Sequence, residues 1–471
     1  MTSSVNAITV LKDIRFWILF FFLIRLYGIT LPPLEVAHNW RQTDGLMIAR
    51  NFYEHDANLL YPTVDVCGEK TGIVGCEFPI LNYLVYLMSE VFGYAHWYGR
   101  LIVLIFSSIG VFYFHRLVRK FFGEQPAFFA AIILIVSYWF QYSRKNMPDI
   151  FAVSLCLVAL FHALKYLENG RWRDLVIFLL MALVGCLSKI LAATVLTVLL
   201  LPLLSSQFIW PRKVFLSVAS GVILIGVCLW YFVWVPYLNT EFGLHGHFFM
   251  GMTFQEGITD IIANWGKVAQ RFYDTPLKYS GFIIFLGAIF MIVRKKDWTV
   301  LAVFLLPFVS FLILLVKTGA SIMGDSYYIL TVIPGMAFIM GCALARIPNI
   351  KVAYVLLTII SIENIADHIY DFRLRQPYKS LETLEAIMDG VSQRGDLVAI
   401  NSMTNNPTAM YFAHRRGWSL DNDKLTDPAF RDDLKQKGCR YVIIVRQLYG
   451  DVELDYPKVH DSEYFKIYKM N

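Results

Sequence analysis

The sequence predicts an all-α polytopic membrane protein followed by a small α/β domain. The first reason is composition: 57% of the 471 residues are hydrophobic and 17% are charged, with a mean hydropathy of +0.53. An ordinary soluble domain carries about 25% charge. The second reason is recurrence, because apolar runs of membrane length repeat between residues 14 and 367. The third is a change near residue 372, beyond which polar residues increase and strand patterns alternate with helical ones.

The apolar runs lie at 14–31, 98–118, 126–142, 149–167, 174–188, 190–206, 213–237, 280–294, 298–316, 326–345 and 351–367. They predict about eleven spans. Charge sets their direction. With the N-terminus cytoplasmic, the inner connections hold Arg116, Arg119 and Lys120; Lys165, Arg171 and Arg173; Arg212 and Lys213; Arg294 to Lys296; and Arg346 with Lys351. Short basic inner loops are the positive-inside pattern. Merging the two runs around Lys189 would invert the later clusters, so the runs stay separate and the C-terminus lies outside.

Each connecting segment then has a place. Loop 32–97 is outer, with interfacial helices expected at Thr43–Tyr53 and Pro79–Phe92. The Arg144–Asp149 turn and loop 238–279 are also outer. Residues 1–371 form the membrane domain and 372–471 the extracytoplasmic one. In the latter, 381–391, 407–413 and 428–437 read as helices, and 396–401 and 440–445 as strands. The first run lacks a small-residue cleavage site after it and reads as a retained helix.

Several function classes are excluded. The net charge of +6 comes from short basic clusters between apolar runs, not from a nucleic-acid footprint. No Walker loop, zinc-type cysteine pair, GxSxG elbow or dinucleotide fingerprint is present. Cys67 and Cys76 share the first loop, where a disulfide and two separate thiols are both open.

The chemistry-bearing residues gather on the outer side. Asp44 closes the run Trp40-Arg41-Gln42-Thr43-Asp44 and can accept a proton as a general base. Glu35 is the competing base, and pairing with Arg41 is the structural alternative for either. Glu77 precedes a helix and could favour its N-terminus or bind sugar hydroxyls. Arg144 and Lys145 suit a phosphate, and Asp149 could cap the following helix or join the site. Lys189 is an outer-side cation against the positive-inside trend, placed to meet a lipid phosphate. Lys317 breaks the same trend and reads as a snorkelling side chain. Asp325, Tyr327 and Tyr328 could contact a sugar or anchor the interface. His245 and His247, with His38 and Glu77, form a weak divalent-metal pattern. Arg415-Arg416-Gly417-Trp418 could lie over the membrane domain and touch the substrate, but reads first as a turn of solvated charges.

In order along the chain, His38-Asn-Trp40-Arg41-Gln42, Ile48-Ala-Arg50-Asn51-Phe52, Glu77-Phe-Pro79, Ser143-Arg144…Pro148-Asp149, Lys189, Tyr327-Tyr328…Pro334 and Arg416-Gly417-Trp418 resemble the C-type (GT-C) membrane glycosyltransferases. The resemblance is to the family 39-like and family 83-like bacterial enzymes, relatives of protein O-mannosyltransferases and the lipid A aminoarabinose transferase. It implies inverting transfer of a sugar from a polyprenyl phosphate at the outer face of a bacterial inner membrane. It also implies an acidic catalytic residue in the first loop, by position Asp44. Those relatives usually carry an adjacent Asp-Glu pair there, which this chain lacks. Arg144, Lys189 and Lys145 would hold the donor phosphate. His38, Trp40, Arg41, Gln42, Glu77, Asp149, Asp325, Tyr327 and Tyr328 would line the substrate site. The expected partners are the lipid-linked donor, the bilayer and an envelope glycan, lipid or protein acceptor. No cofactor is required, although some C-type enzymes bind a divalent metal. The rival class is a transporter or flippase, which usually binds near the midplane and shows repeated halves. Neither feature is apparent.

Overall fold

The structure, a computed structural model, describes residues 7–244 and 251–470. His245 and His247 lie outside the described residues. The protein is mostly helical and divides into two compact units. One comprises Met1–Ile29, Arg100–Tyr231 and Phe249–Tyr370; the other comprises Thr30–Gly99, Phe232–Phe248 and Asp371–Asn471. The first outer loop therefore groups with the C-terminal segment, whereas the sequence division kept residues 1–371 together.

The first unit is built from apolar helices. Among the described residues, five helices are long and apolar enough to cross a membrane, or six if a bent pair counts as one span. Other expected runs form shorter apolar helices, such as Glu124–Val136 and Ile333–Leu344. The eleven expected spans are thus not reproduced as eleven spanning helices. Position within the bundle follows composition. The window of Pro148–Asn169 is 89% buried, against 28% for Trp298–Val316, so the former is central and the latter has its apolar surface outward. A helix that is apolar all round suits either place in a bilayer.

The second unit holds the sheet. Its strands are β1 (Leu397–Asn401), β2 (Arg416–Leu420), β3 (Cys439–Val445), β4 (Lys458–Asp461) and β5 (Phe465–Lys469), in the order β2-β1-β3-β5-β4. β1 runs parallel to β2 and β3, and β5 runs antiparallel to β3 and β4. Helices Thr408–Ala413 and Pro428–Gln436 make the two crossovers that parallel strands require. The apolar sequences of β1 and β3 place Ala399, Val442 and Ile444 in a core with Leu425, Leu434 and Tyr468. The two expected strands are present. β2 opens on the charged, glycine-bearing stretch that reads as a turn, and charges interrupt the alternation of β4 and β5.

The expected turn of solvated charges at Arg415 and Arg416 is corrected. Arg415 is buried and donates to Asp389 at 2.9 Å and to Ser392 Oγ at 3.1 Å. Arg416 begins β2 and donates to the Lys70 carbonyl at 2.6 Å.

The first loop is tied to this domain through backbone. Gly417 N–H donates to Asp65 O at 2.9 Å, and its carbonyl accepts from Cys67 and Gly68 N–H at 3.0 and 2.8 Å. Segment 65–68 thereby covers part of the edge strand β2, an otherwise open template for pairing. Gly417 has φ +150°, and a Cβ there would lie 1.8 Å from Val398 O. Gly417→Ala is expected to destabilise the protein by about 2–4 kcal/mol. Thermal unfolding checks this; an unchanged transition would show that the edge yields.

A second tie is ionic. His414 caps Thr408–Ala413 in a left-handed conformation. Its ring nitrogens lie 2.8 Å from Glu54 Oε2 and 2.8 Å from Glu385 Oε1. Two carboxylate partners require both nitrogens to donate, hence an imidazolium. Burial pulls the imidazole pKa down, but the hydrogen bonds to Glu385 and Glu54 outweigh it and raise it above the ordinary value. The His414 hydrogen bond, helped by Arg394, holds Glu385 down to about 2. Glu54 is also lowered, its His414 bond overcoming burial. The raised histidine contributes stability below about pH 6.5, lost as pH rises through its folded value; the lowered acids contribute above about pH 4.5, lost on acidification. The clasp is strongest between these limits. Because Glu385 is partly exposed, about 1 kcal/mol or less is expected. His414→Gln should lower the melting temperature most near pH 5–6 and least at alkaline pH, where the imidazole is neutral in both states. A loss independent of pH would remove the ionic account.

Cys67 and Cys76 are both free and buried, so the disulfide is not formed. Burial pushes both thiols up, Cys76 strongly. They remain protonated and poorly reactive.

Candidate active site

The predicted site residues fall into two groups, one in each unit.

In the second unit, helix Asn39–Glu54 carries the first group. It starts four residues before the expected interfacial helix, and nearly all of Asn39–Phe52 is buried, so it packs inside protein instead of lying on lipid. His38 precedes it at φ 58°, a left-handed conformation uncommon outside glycine. Trp40 is half-buried on its first turn. Arg41 lies at the centre: it donates to Asp44 Oδ2 at 3.3 Å and to Glu77 Oε2. Gln42 donates to Glu35 Oε2 at 2.9 Å. The two rival bases therefore have different settings. Glu35 accepts from a neutral amide, while Asp44 shares one guanidinium with Glu77.

Arg41 is thus shared by two carboxylates. Among the described residues Asp44 Oδ1 receives no hydrogen bond, so this oxygen is available to a hydroxyl. Glu77 has its structural role here as the partner of Arg41. Below this cluster, Arg50 donates to Asp65 at 2.9 Å and to Tyr411 O at 2.8 Å, and Asn51 donates to Asp65 at 3.0 Å. These bonds brace the helix against its own loop and the C-terminal segment. Asp65 and Tyr411 carried no local signal in the sequence.

In the first unit, Lys189 sits where a helix breaks. Trp172–Ser188 ends, Lys189 is extended at φ −157°, and a 3-10 helix follows over Ile190–Leu199. Its side chain is 5% exposed as a residue and lies 3.4 Å from Asp149 Oδ1. The ammonium also lies 5.1 and 5.2 Å from the ring centres of Tyr327 and Tyr328. Cation, carboxylate and two aromatic rings thus converge from three segments. Asp149 is in the first turn of Pro148–Asn169, whose N-cap is Met147, and it pairs with Lys189. Asp325 precedes the short helix Ser326–Thr331 without capping it.

Arg144 donates to Tyr27 O at 3.0 Å, and Lys145, fully buried, lies 5.4 Å from the Tyr142 ring. The sequence reading missed Arg25. It is 1% exposed, donates to Phe21 O at 2.9 Å and also donates to Ser143 Oγ. The signal was available: an arginine near the outer end of the first apolar run breaks the charge trend as Lys189 does.

Among the described residues no three His, Cys, Asp or Glu side chains converge to hold a metal. An apolar cavity of about 620 Å³ in the first unit is lined by Phe114, Leu160, Val195, Pro202, Trp298, Phe338 and neighbours. No lining residue is ionisable or belongs to the predicted site, so it suits a hydrocarbon chain and not a sugar.

Residues 77–234 match the family described as dolichyl-phosphate-mannose-protein mannosyltransferase. No curated protein sequence matches the chain. Among solved structures, ArnT from Cupriavidus metallidurans bound to undecaprenyl phosphate is similar at TM-score 0.62 and 14% identity. The match covers 96% of this chain and 98% of that one. The Archaeoglobus fulgidus oligosaccharyltransferase in its apo form is similar at TM-score 0.51 and 12% identity, over 91% of this chain and 69% of that one. With apolar helices, a small C-terminal sheet and this whole-length likeness, the chain is a multi-pass membrane protein with the GT-C glycosyltransferase fold of the mannosyltransferase and ArnT type.

Proposed function

We propose that the protein is an inverting glycosyltransferase that moves a sugar from a polyprenyl-phosphate-linked donor to an extracytoplasmic envelope acceptor. The whole-length similarity to a structure that binds undecaprenyl phosphate carries this reading. The Asp44 carboxylate supports the choice of base. In the reaction, Asp44 Oδ1 takes the proton of an acceptor hydroxyl. The acceptor oxygen attacks the anomeric carbon as the bond from that carbon to the phosphate oxygen breaks. The bonding electrons leave with the polyprenyl phosphate, and the configuration inverts. Lys189 and Arg144 stabilise the charge on the departing phosphate. Lys145 lends further positive charge. Trp40, Tyr327 and Tyr328 offer faces for the sugar. The donor is already activated by its phosphate, so no nucleotide or organic cofactor is needed. The working setting is a bacterial inner membrane, with the N-terminus cytoplasmic and the C-terminus periplasmic.

Purified protein in nanodiscs, given a radiolabelled polyprenyl-phosphate sugar and an envelope lipid extract, tests the proposal. A labelled glycolipid, glycan or protein together with free polyprenyl phosphate is expected. Redistribution of label across a vesicle bilayer without a new glycosidic bond would make the protein a transporter.

A further inference from the structure

Helices Phe254–Ala263 and Trp265–Asp274 lie within the segment expected to be a plain outer loop, and each has three faces. One face is turned into protein. Gly257 is buried, and a Cβ there would lie 1.8 Å from Val316 O, so the first helix presses on the end of Trp298–Val316. Asp260 Oδ2 accepts from Ala320 N–H at 2.7 Å, and Arg271 Nε donates to Met323 O at 3.0 Å. Lys317 donates to Met252 O just before the first helix and does not simply snorkel. The second face is polar and exposed: Gln255, Glu256 and Thr259, then Lys267 and Gln270. The third is apolar and exposed. Phe254, Ile258 and Ile262 recur at every fourth position with exposures of 53, 47 and 68%, and Trp265 follows at 65%. Helix side chains four apart form one ridge.

Two observations bear on what covers that ridge. Trp265–Asp274 is bent by 88° from Lys278–Arg294, the helix that follows it. Lys278–Arg294 itself exposes Ile283, Leu286 and Phe290, the surface of a lipid-facing helix. If that helix crosses the bilayer, Trp265–Asp274 runs along the bilayer surface, and Phe254–Ala263 leads into it across the single residue Asn264. We infer that Phe254–Asp274 is an in-plane membrane-surface element whose Phe254–Ile258–Ile262–Trp265 ridge inserts among lipid chains at the headgroup boundary. One face on protein, one in water and one in lipid is the arrangement such helices need. Trp265 has the amphipathic ring favoured at that depth. This inference rests on the membrane class alone and does not depend on the proposed chemistry.

Photocrosslinking tests it with the full chain in nanodiscs of phosphatidylethanolamine and phosphatidylglycerol. Benzoylphenylalanine is placed at Ile258 or Ile262, and for comparison at Gln255 or Thr259. All four positions are exposed, and two per face keep the comparison if one variant misfolds. Mass spectrometry is expected to find about tenfold more lipid adduct at Ile258 and Ile262 than at Gln255 and Thr259. Equal yields on the two faces would overturn the inference. So would crosslinks from Ile262 to a second copy of the chain in place of lipid.

Discussion

Asp44→Asn is expected to lower sugar transfer by about 10²–10⁴-fold while leaving folding and expression intact. The substitution removes a proton acceptor without changing the side chain's outline. Arg41 can still donate to the amide oxygen, so the buried guanidinium keeps a partner. Glu35→Gln is the paired experiment. Its neighbour Gln42 can turn its amide to suit either group, so activity should stay within about tenfold of wild type. Initial rates with saturating lipid-linked donor, together with melting temperatures, separate the two. Full activity in Asp44→Asn and a dead Glu35→Gln would reverse the assignment of the base.

Lys189→Met should abolish activity and also weaken the fold. Lys189 and Asp149 are both almost fully buried and form an ion pair, so removing one charge takes a charged partner from the other. Breaking a buried pair in this way costs about 3–5 kcal/mol. The double variant Lys189→Met with Asp149→Asn removes both charges and should recover most of the lost melting temperature. Its activity should not recover, because the departing phosphate still lacks its cation. If the double variant transfers sugar at the wild-type rate, Lys189 serves only to neutralise Asp149. These paired outcomes distinguish a binding role from a packing role, which a single substitution cannot do.

Much of the candidate site could be named from the sequence because its residues violate local rules. Lys189 interrupts an apolar run on the outer side, and Arg144, Lys145 and Asp149 crowd a six-residue turn between two others. Burying charges in apolar surroundings is costly, and that cost marks a position without any coordinates. Arg25 obeyed the same logic but was hidden by its place at the end of a helix, where a cation also favours the dipole. Arg41 was legible as a candidate, but its sharing between Asp44 and Glu77 was not, since the second partner lies 36 residues away.

The sequence by itself determined the membrane class, the approximate helices and the existence of a polar C-terminal domain. These follow from local quantities: hydropathy over some twenty residues and the periodicity of side chains. Tertiary structure alone decided which elements pair. It placed segment 65–68 on β2, joined Arg50 to a carbonyl 361 residues distant, and broke a helix to aim Lys189 at Asp149. Edge strands with interrupting charges, and apolar runs that bend or shorten, gain their form only when neighbouring segments supply the missing hydrogen bonds and packing. Such partners are separated along the chain, so no window of sequence contains both.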